Sequence, residues 1–190
     1  MFSCDSQGSA VNGYEDVPVD WAPATIWRDD DTGRWHTTLQ FIVPGQPIQQ
    51  GNMRGNRFGA LYDSTKGLRP WREKVSWQAR AAMKGRYRTL TADSVAFRTG
   101  TVVLPQFLGA VFLDVTFVRR RNKTMPKNAT PQHTTYPDLS KLVRAIEDSM
   151  TGIVWAADKQ VVETHSRKRW ADVGETCGAH ILVSDNVDVK

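Results

Sequence analysis

The sequence lacks the features that mark membrane-spanning and secreted proteins. No apolar run approaches the roughly 20 residues that a membrane-spanning helix requires. The N-terminus MFSCDSQGSAVNGYEDV has neither the basic start nor the apolar stretch of a secretory signal. The two cysteines, Cys4 and Cys177, form neither a disulfide framework nor a zinc-ligand pattern. We therefore expect a soluble protein in a reducing compartment, the cytoplasm.

Charge is unevenly distributed along the 190 residues, which together carry a net charge of +5. Residues 1–35 contain seven acids and two bases, so this segment carries −5 and residues 36–190 carry +10. A body this basic suits a polyanionic partner such as nucleic acid. The alternative, a basic surface that serves only solubility, stays open on composition alone.

The composition also divides the chain into two parts. Gly, Ser, Asp and Pro dominate residues 1–35, where no apolar periodicity is sustained. This predicts an acidic, flexible N-terminal leader. Residues 36–190 have the length and the apolar content of one domain.

The first half of this domain contains a predicted strand and a predicted helix. Alternating side chains predict the strand over residues 37–45, which ends at a Pro-Gly pair. The Gly-rich segment 46–62 predicts a loop or irregular hairpin that exposes Arg54 and Arg57. Apolar residues at helical spacing predict a helix over residues 69–83.

The middle of the chain is less regular. Residues 86–108 fit no single element, although a hairpin around Thr99-Gly100 is one interpretation. Alternation in GAVFLDVTFV, residues 109–118, predicts a strand with a buried side. In the next segment, RRRNKTMPK, charge repulsion and Pro126 predict an extended loop. Its bases are Arg119, Arg120, Arg121, Lys123 and Lys127.

The last third predicts a helix followed by two strands. The helix begins at Asp138 and ends before Gly152, with one apolar stripe. The strands span residues 161–170 and 178–185, and the short turn between them favours their pairing. Because helices and strands interleave without a regular βαβ order, we expect an α+β fold, a small mixed sheet with helices packed on one side. The stripe consists of Leu139, Leu142, Val143, Ile146 and Met150.

Two acids and two bases around this helix suggest a catalytic site. Asp138 stands at the helix start, and Asp158 stands in a turn after the helix, so a reversal of the chain could bring the two carboxylates together. Two hard oxygen ligands from different elements suit Mg²⁺, whose remaining positions go to water and substrate phosphate. Lys141 and Arg144 lie on the polar side of the same helix. The pattern is typical of phosphodiester hydrolysis.

Each of these residues also has a purely structural interpretation. Asp138 is a favoured N-cap residue, and Asp158 is a common turn residue. The two bases could pair with acids one helical turn away, as charges on a solvated face usually do. The histidines His133, His165 and His180 lack the spacing of a metal site and are expected to be structural or exposed.

Residues 137–170, PDLSKLVRAIEDSMTGIVWAADKQVVETHSRKRW, resemble the RusA family of Holliday junction resolvases, which is widespread in phages and prophages. The shared order is an Asp-Leu helix start, a D-x-x-T-G turn, an aromatic residue and a D-x-Q-V strand. FIVPGQPIQQGNMR, residues 41–54, and WREKVSWQAR, residues 71–80, extend the resemblance upstream. It covers nearly everything from residue 37 onward, except the enlarged region 86–108.

The resemblance implies a homodimeric, Mg²⁺-dependent endodeoxyribonuclease that nicks both strands of a four-way DNA junction. Such an enzyme serves DNA recombination and repair, and a phage-encoded one acts in the cytoplasm of the bacterial host. Mn²⁺ is the alternative cation, and no small-molecule cofactor is expected. The implied partners are branched DNA and a second copy of the chain, without any membrane.

Family roles transfer to individual residues. Asp138 and Asp158 match metal-binding acids, while Ser140 stands where the family has a second metal-binding Asp, so the site lacks one negative charge. Arg144 matches a catalytic Lys, and Lys141 is expected near the same phosphate. Candidate DNA-binding residues are Arg54, Arg57, Arg119, Arg120, Arg121, Lys123 and Lys127, with Arg167, Lys168 and Arg169 as weaker ones.

Two other functions stay open. Because Ser140 replaces a carboxylate, the chain could be a weakened or inactive junction-binding protein. It could also be a basic structural protein without preference for branched DNA, which equal affinity for duplex and junction at fixed salt would reveal.

Overall fold

The computed structural model describes residues 24–28, 35–51, 53–55, 61–63, 65–92, 106–122, 125 and 131–185. Within these residues, strands and helices alternate along the chain without a repeating order. The strands are β1 (Ala24–Arg28), β2 (Trp35–Pro44), β3 (Met53–Gly55), β4 (Leu61–Asp63), β5 (Val111–Arg119), β6 (Val161–Trp170) and β7 (Gly178–Ser184). The helices are α1 (Leu68–Ala92) and α2 (Leu139–Met150), and a 3₁₀ turn spans Asp158–Gln160.

Five strands form one mixed sheet in the order β1-β2-β7-β5-β6. β5 and β6 run parallel, and every other neighbouring pair is antiparallel. β3 and β4 form a separate two-stranded hairpin. The predicted α+β class and the predicted strands β2, β5, β6 and β7 are therefore confirmed, as is the irregular hairpin in residues 46–62.

The predicted pairing of the last two strands is wrong. β6 lies at the sheet edge beside β5, and β7 lies between β2 and β5. A parallel pair needs a long crossover connection, which α2 supplies between β5 and β6. The seven-residue connection 171–177 therefore crosses over β5 instead of closing a hairpin.

The sheet begins further upstream than the sequence indicates. β1 lies inside the range 1–35 and pairs antiparallel with β2, with Ala24 opposite Leu39 and Arg28 opposite Trp35. The sequence pattern predicts no strand in that range. Residues 1–23 and 29–34 lie outside the described residues, as does the hairpin predicted around Thr99-Gly100.

Both helices pack on the same face of the sheet. In α1, Trp71, Val75 and Ala79 recur every fourth residue and are buried, which confirms the predicted helix and extends it to Ala92. In α2, the stripe centred on Ile146 is buried in the same core, so truncation to Ala should cost about 2–5 kcal/mol of unfolding free energy. No helix in the described part of the chain is long and apolar enough to cross a membrane.

Candidate active site

Helix α2 holds the two predicted metal ligands apart. Asp138 is the N-cap residue, whereas the Asp158 carboxylate accepts a hydrogen bond from Thr151, the C-cap residue. A helical rise of 1.5 Å per residue puts about 20 Å between the two caps. The expected approach of these carboxylates within one chain is therefore wrong, because the turn after α2 leaves Asp158 at the C-terminal end. A cation about 2.1 Å from each ligand cannot bridge that distance.

The Asp138 carboxylate at the N-terminal end is not used as a helix cap. It makes no hydrogen bond to the first-turn backbone N–H groups, although the residue occupies the N-cap position. Instead it forms an ion pair with Lys141 Nζ at 3.3 Å, and 57% of its side chain is exposed. The purely structural interpretation of Asp138 as a side-chain cap therefore fails, and its carboxylate is accessible to a ligand.

The backbone around Asp138 is fixed from two sides. The Asp138 N–H donates to Oε1 of Gln49 at 2.6 Å, and the Gln49 side chain belongs to a buried residue of the segment after β2. From β6, Lys168 Nζ donates to the carbonyl oxygens of Thr135 and Pro137, both at 2.7 Å. These contacts orient the helix entrance and leave the carboxylate outside it. Gln49 was not among the predicted site residues.

At the C-terminal end, Thr151 holds the turn that carries Asp158. The Thr151 hydroxyl donates to Asp158 Oδ1 and accepts a hydrogen bond from Trp155 Nε1 at 3.1 Å. Trp155 is fully buried. The Thr151 and Trp155 positions of the D-x-x-T-G-aromatic motif thus position the acid that follows them, while Asp158 itself is exposed.

Gln160 fastens the same turn to the body of the protein. Its Oε1 accepts from the N–H groups of Ala156 and Ala157 at 2.8 and 3.1 Å. Its Nε2 donates to the carbonyl oxygens of Phe107 and Gly109 at 2.7 and 3.1 Å. The Gln of the D-x-Q-V motif is therefore a positioning residue, a role that motif matching alone does not reveal.

A second acid, Glu147, lies at the C-terminal end and was not predicted as a site residue. Burial raises the pKa of its carboxyl, and the nearby charges of Asp158 and Asp148 raise it further, against a smaller opposite effect of Arg144. Asp148 is neutralised by an ion pair with Arg72. The Glu147 carboxyl therefore lies close enough to Asp158 to be affected by its charge.

Within one chain the two predicted Mg²⁺ ligands, Asp138 and Asp158, do not meet in a single site. In the described ranges, no group of three His, Cys, Asp or Glu side chains lies close enough to hold a metal ion. Ser140 is exposed in the first turn of α2 and offers only a neutral hydroxyl beside Asp138. The carboxylates are thus divided between the two helix ends, and each end is short of ligands.

The predicted bases on β6 do not form one DNA-binding patch, because successive strand residues face opposite sides of the sheet. Arg167 Nε donates to Thr116 Oγ1 at 2.8 Å on the sheet face opposite α1 and α2. Lys168 lies on the helix face. Arg169 makes two hydrogen bonds to Glu175, at 2.6 and 2.5 Å, which neutralise it.

The basic residues at the end of β5 and just after it differ from one another in their surroundings. Arg119 Nη1 donates to the Pro47 carbonyl oxygen at 2.5 Å, and burial lowers the pKa of its guanidinium. Arg120 is exposed, and Arg121 is half-buried. Arg144 is exposed on α2. Arg57, Lys123 and Lys127 lie outside the described residues, and for Arg54 only the backbone, in β3, is described.

Two concave basic surfaces flank α2. A groove of about 500 Å³ lies between α1 and the C-terminal half of α2, with Arg69, Arg80 and the half-exposed Trp77 along it. A cavity of about 420 Å³ lies at the N-terminal end, lined by Arg119, Arg120 and other residues. Exposed acids beside cationic concave surfaces on a basic α+β domain are typical of proteins that process nucleic acids.

Comparison with known protein families identifies which nucleic-acid-processing proteins this chain is related to. The family model described as endodeoxyribonuclease RusA matches residues 44–177, more than two thirds of the 190 residues. The chain therefore belongs to the RusA family, which indicates an endonuclease that resolves Holliday junctions. The match includes both ends of α2 and the motif from Asp138 to Gln160. A search of curated proteins finds no match to the chain.

Proposed function

We propose that this RusA-family chain resolves four-way and related branched DNA junctions by Mg²⁺-dependent phosphodiester hydrolysis, with Mn²⁺ as the alternative cation. The observation that carries the proposal is the position of Asp138 and Asp158. Both are exposed at the ends of α2, inside the matched range, and Asp138 makes no capping hydrogen bond. The proposed setting is DNA recombination or repair in the cytoplasm of a bacterial host, with the chain encoded by a phage or prophage.

The active form is a two-fold symmetric homodimer in which two copies complete each site. Antiparallel α2 helices of two copies would place Asp138 of one copy beside Asp158 of the second, although the two acids of one chain are about 20 Å apart. A two-fold axis generates two such sites. Each would act on one strand of the junction, which has a similar symmetry.

The composite site also addresses the missing family carboxylate. Ser140 supplies no charge, but Glu147 lies at the same helix end as Asp158 and would bring a third carboxylate to the site of the other copy. When bound, Mg²⁺ supplies Lewis-acid stabilisation of the charge on phosphorus. Arg144 and Lys141 would lie near the scissile phosphate. Arg144 is permanently charged, so it binds the phosphate and transfers no proton at neutral pH.

Binding to the flanking DNA is expected to be electrostatic. The exposed guanidinium group of Arg120, just after β5, offers a phosphate contact, and the affinity should fall steeply with salt concentration. Arg120 is better suited than the bases on β6, because Lys168 and Arg169 are engaged within the chain. The proposed set is Arg54, Arg57, Arg119, Arg120, Arg121, Lys123 and Lys127, followed by Arg167, Lys168 and Arg169.

The test is incubation of the purified protein with a synthetic four-way junction in Mg²⁺ or Mn²⁺. We expect symmetric nicks from the wild type, no nicks from Asp138→Asn or Asp158→Asn, and normal nicking by Glu73→Gln, at an exposed acid of α1. Undiminished nicking by both site variants would contradict the assignment.

Ser140 motivates a second candidate function, that of a junction-binding protein that does not cut. This alternative predicts tight, structure-selective binding to the junction without nicks in any divalent cation. It also predicts that Ser140→Asp restores nicking, because the substitution returns the missing ligand. Ready cleavage by the wild type would exclude it.

A further inference from the structure

A cavity of about 420 Å³ opens where the parallel strands β5 and β6 end. Arg119 is the last residue of β5, Trp170 is the last residue of β6, and both line the cavity. Tyr136, on the segment that enters α2, forms another part of its wall, two residues before Asp138. Carboxyl ends of parallel strands are a recurrent place for ligands. The volume falls in the range of pockets that hold one small molecule.

A buried imidazole inside this cavity makes no well-formed hydrogen bond, although backbone groups of His133 and Thr135 lie near its ring. His133 is 5% exposed and stacks on Trp170, with 3.9 Å between ring centroids and 21° between ring planes. Neither ring nitrogen makes a hydrogen bond of normal geometry to any residue that the structure describes. Buried polar atoms without partners are rare, because they lose their hydrogen bonds to water. The unmet donor and acceptor of His133 therefore indicate that a polar ligand enters the cavity.

The charge of the cavity indicates an anionic ligand. Three consecutive arginines line it, and none of the described lining residues is acidic. Arg119 is held by the Pro47 carbonyl oxygen and shapes the wall. Arg120 is exposed and has no ion-pair partner within the described ranges, so it can bind a phosphate. The cavity therefore combines a cation at its mouth with a neutral hydrogen-bonding ring inside.

The aromatic residues indicate that the ligand also has a flat part. Tyr136 is 68% exposed, which is unusual for a large side chain at a cavity wall. The stacked pair of His133 and Trp170 forms a second planar element. Nucleic-acid-binding proteins use such exposed rings to stack unpaired bases, while arginines follow the phosphates.

We infer that this cavity takes one unstacked nucleotide of the bound DNA, with its phosphate at Arg120, its base against Tyr136 and the base edge at His133. The inference rests on the proposed function for the origin of the nucleotide. Because Tyr136 is two residues from Asp138, the captured nucleotide belongs to the strand that is cut. The cavity then makes cleavage selective for the base next to the scissile bond.

Photo-crosslinking tests this assignment in EDTA, where the junction is bound but not cut. 5-Iodouracil is placed at each position around the branch point in turn, and cross-linked peptides are identified by mass spectrometry. We expect one position near the branch to cross-link strongly to Tyr136, with no such cross-link in a duplex of the same sequence. Tyr136→Ala should lower junction affinity about tenfold, while Val162→Ala, an exposed control, should not change it.

His133→Phe separates recognition from folding, because Phe keeps the stack on Trp170 but has no ring nitrogens. Competition between junctions that carry each of the four bases at the cross-linked position should show about fivefold discrimination by the wild type. In His133→Phe the four junctions should compete equally, with unchanged thermal stability.

The other possible results of these experiments also support or overturn the cavity assignment. Cross-links spread evenly around the branch, or mapped away from Tyr136, together with normal nicking in Mg²⁺, would overturn the cavity assignment and leave the proposed function intact. Unchanged affinity in Tyr136→Ala or unchanged base preference in His133→Phe would overturn it as well. A wild type that binds no junction would overturn both proposals. Junction binding with localised cross-links but without nicks would support the cavity and count against the nuclease.

Discussion

The two ends of helix α2 differ in charge and in the way their acids are held. At the N-terminal end, Asp138 is paired with Lys141 beside a cavity lined by arginines. At the C-terminal end, burial raises the pKa of Glu147, and the charge of Asp158 raises it further. The helix dipole favours an acid at the first end and disfavours acids at the second. An acid such as Glu147, which lies at the unfavourable end of the dipole and has a raised pKa, is a candidate for a functional site.

Loss of either acid should have the largest effect. We expect Asp138→Asn and Asp158→Asn each to slow junction nicking about 100-fold or more, because each removes a ligand of the same cation. The double variant should be no slower than the slower single variant, since residues that act as a unit are not additive. Single-turnover nicking rates of the wild type, the two single variants and the double variant measure these losses. Multiplied losses in the double variant would mean that the two ends act separately.

Glu147→Gln should have the next largest effect. If Glu147 supplies the charge that Ser140 lacks, its loss should raise the Mg²⁺ concentration for half-maximal nicking about tenfold, equivalent to about 1.4 kcal/mol. Glu73→Gln, at an exposed acid of α1, is the matched control. The upward shift of Tm with added Mg²⁺ provides a reading independent of activity and should shrink in Glu147→Gln. An unchanged Mg²⁺ response would remove Glu147 from the site.

The two positioning glutamines allow the ends to be compared by stability. Gln49→Ala leaves the Asp138 N–H without its partner, and Gln160→Ala removes four hydrogen bonds at the Asp158 turn. Each should cost about 1–3 kcal/mol in urea unfolding, with the larger loss for Gln160→Ala. Gln78→Ala on α1 serves as control. A loss in nicking without any loss of stability would show that the glutamine acts on chemistry directly.

The smallest expected effect is a pH dependence of thermal stability that arises at the C-terminal end of α2. The folded pKa of Glu147 is raised, so its contribution to stability is present below the pKa of the unfolded chain and is lost as pH rises through the folded pKa. Relative to Glu147→Gln, the wild type in EDTA should therefore lose thermal stability from about pH 4 toward neutrality. A Tm difference that stays constant with pH would mean that neither burial nor the charge of Asp158 raises the pKa of Glu147 in the folded chain.

Local patterns predict the elements of this fold, but not how the last strands pair. The period-two alternation of β2 and β5 and the helical stripe of α2 are visible in the sequence. The short connection 171–177 favours a hairpin, yet β6 pairs with β5 because α2 provides the crossover that a parallel pair needs. β1 was missed because its five residues lie in a segment rich in Asp, Gly and Pro.

Local sequence patterns likewise predict only part of the candidate site. Motif spacing places Asp138 at the helix entrance and Asp158 in a turn, as the structure has them. It also gives the length of α2, which already separates the acids by about 20 Å. The contacts of Gln49, Thr151 and Gln160 depend on elements distant in sequence or on turn geometry, which no local pattern contains. The proximity of Glu147 to Asp158 likewise depends on the path of the chain after α2.

The central claim, that each site is built from two copies, is tested most directly by mixing two inactive variants. In a heterodimer of Asp138→Asn and Asp158→Asn, a composite site pairs the intact Asp138 of one copy with the intact Asp158 of the other, so one of two sites is restored. We predict that subunit exchange between the purified variants recovers nicking of a single junction strand. No recovery from verified heterodimers, with each variant inactive alone and correctly folded, would contradict the account.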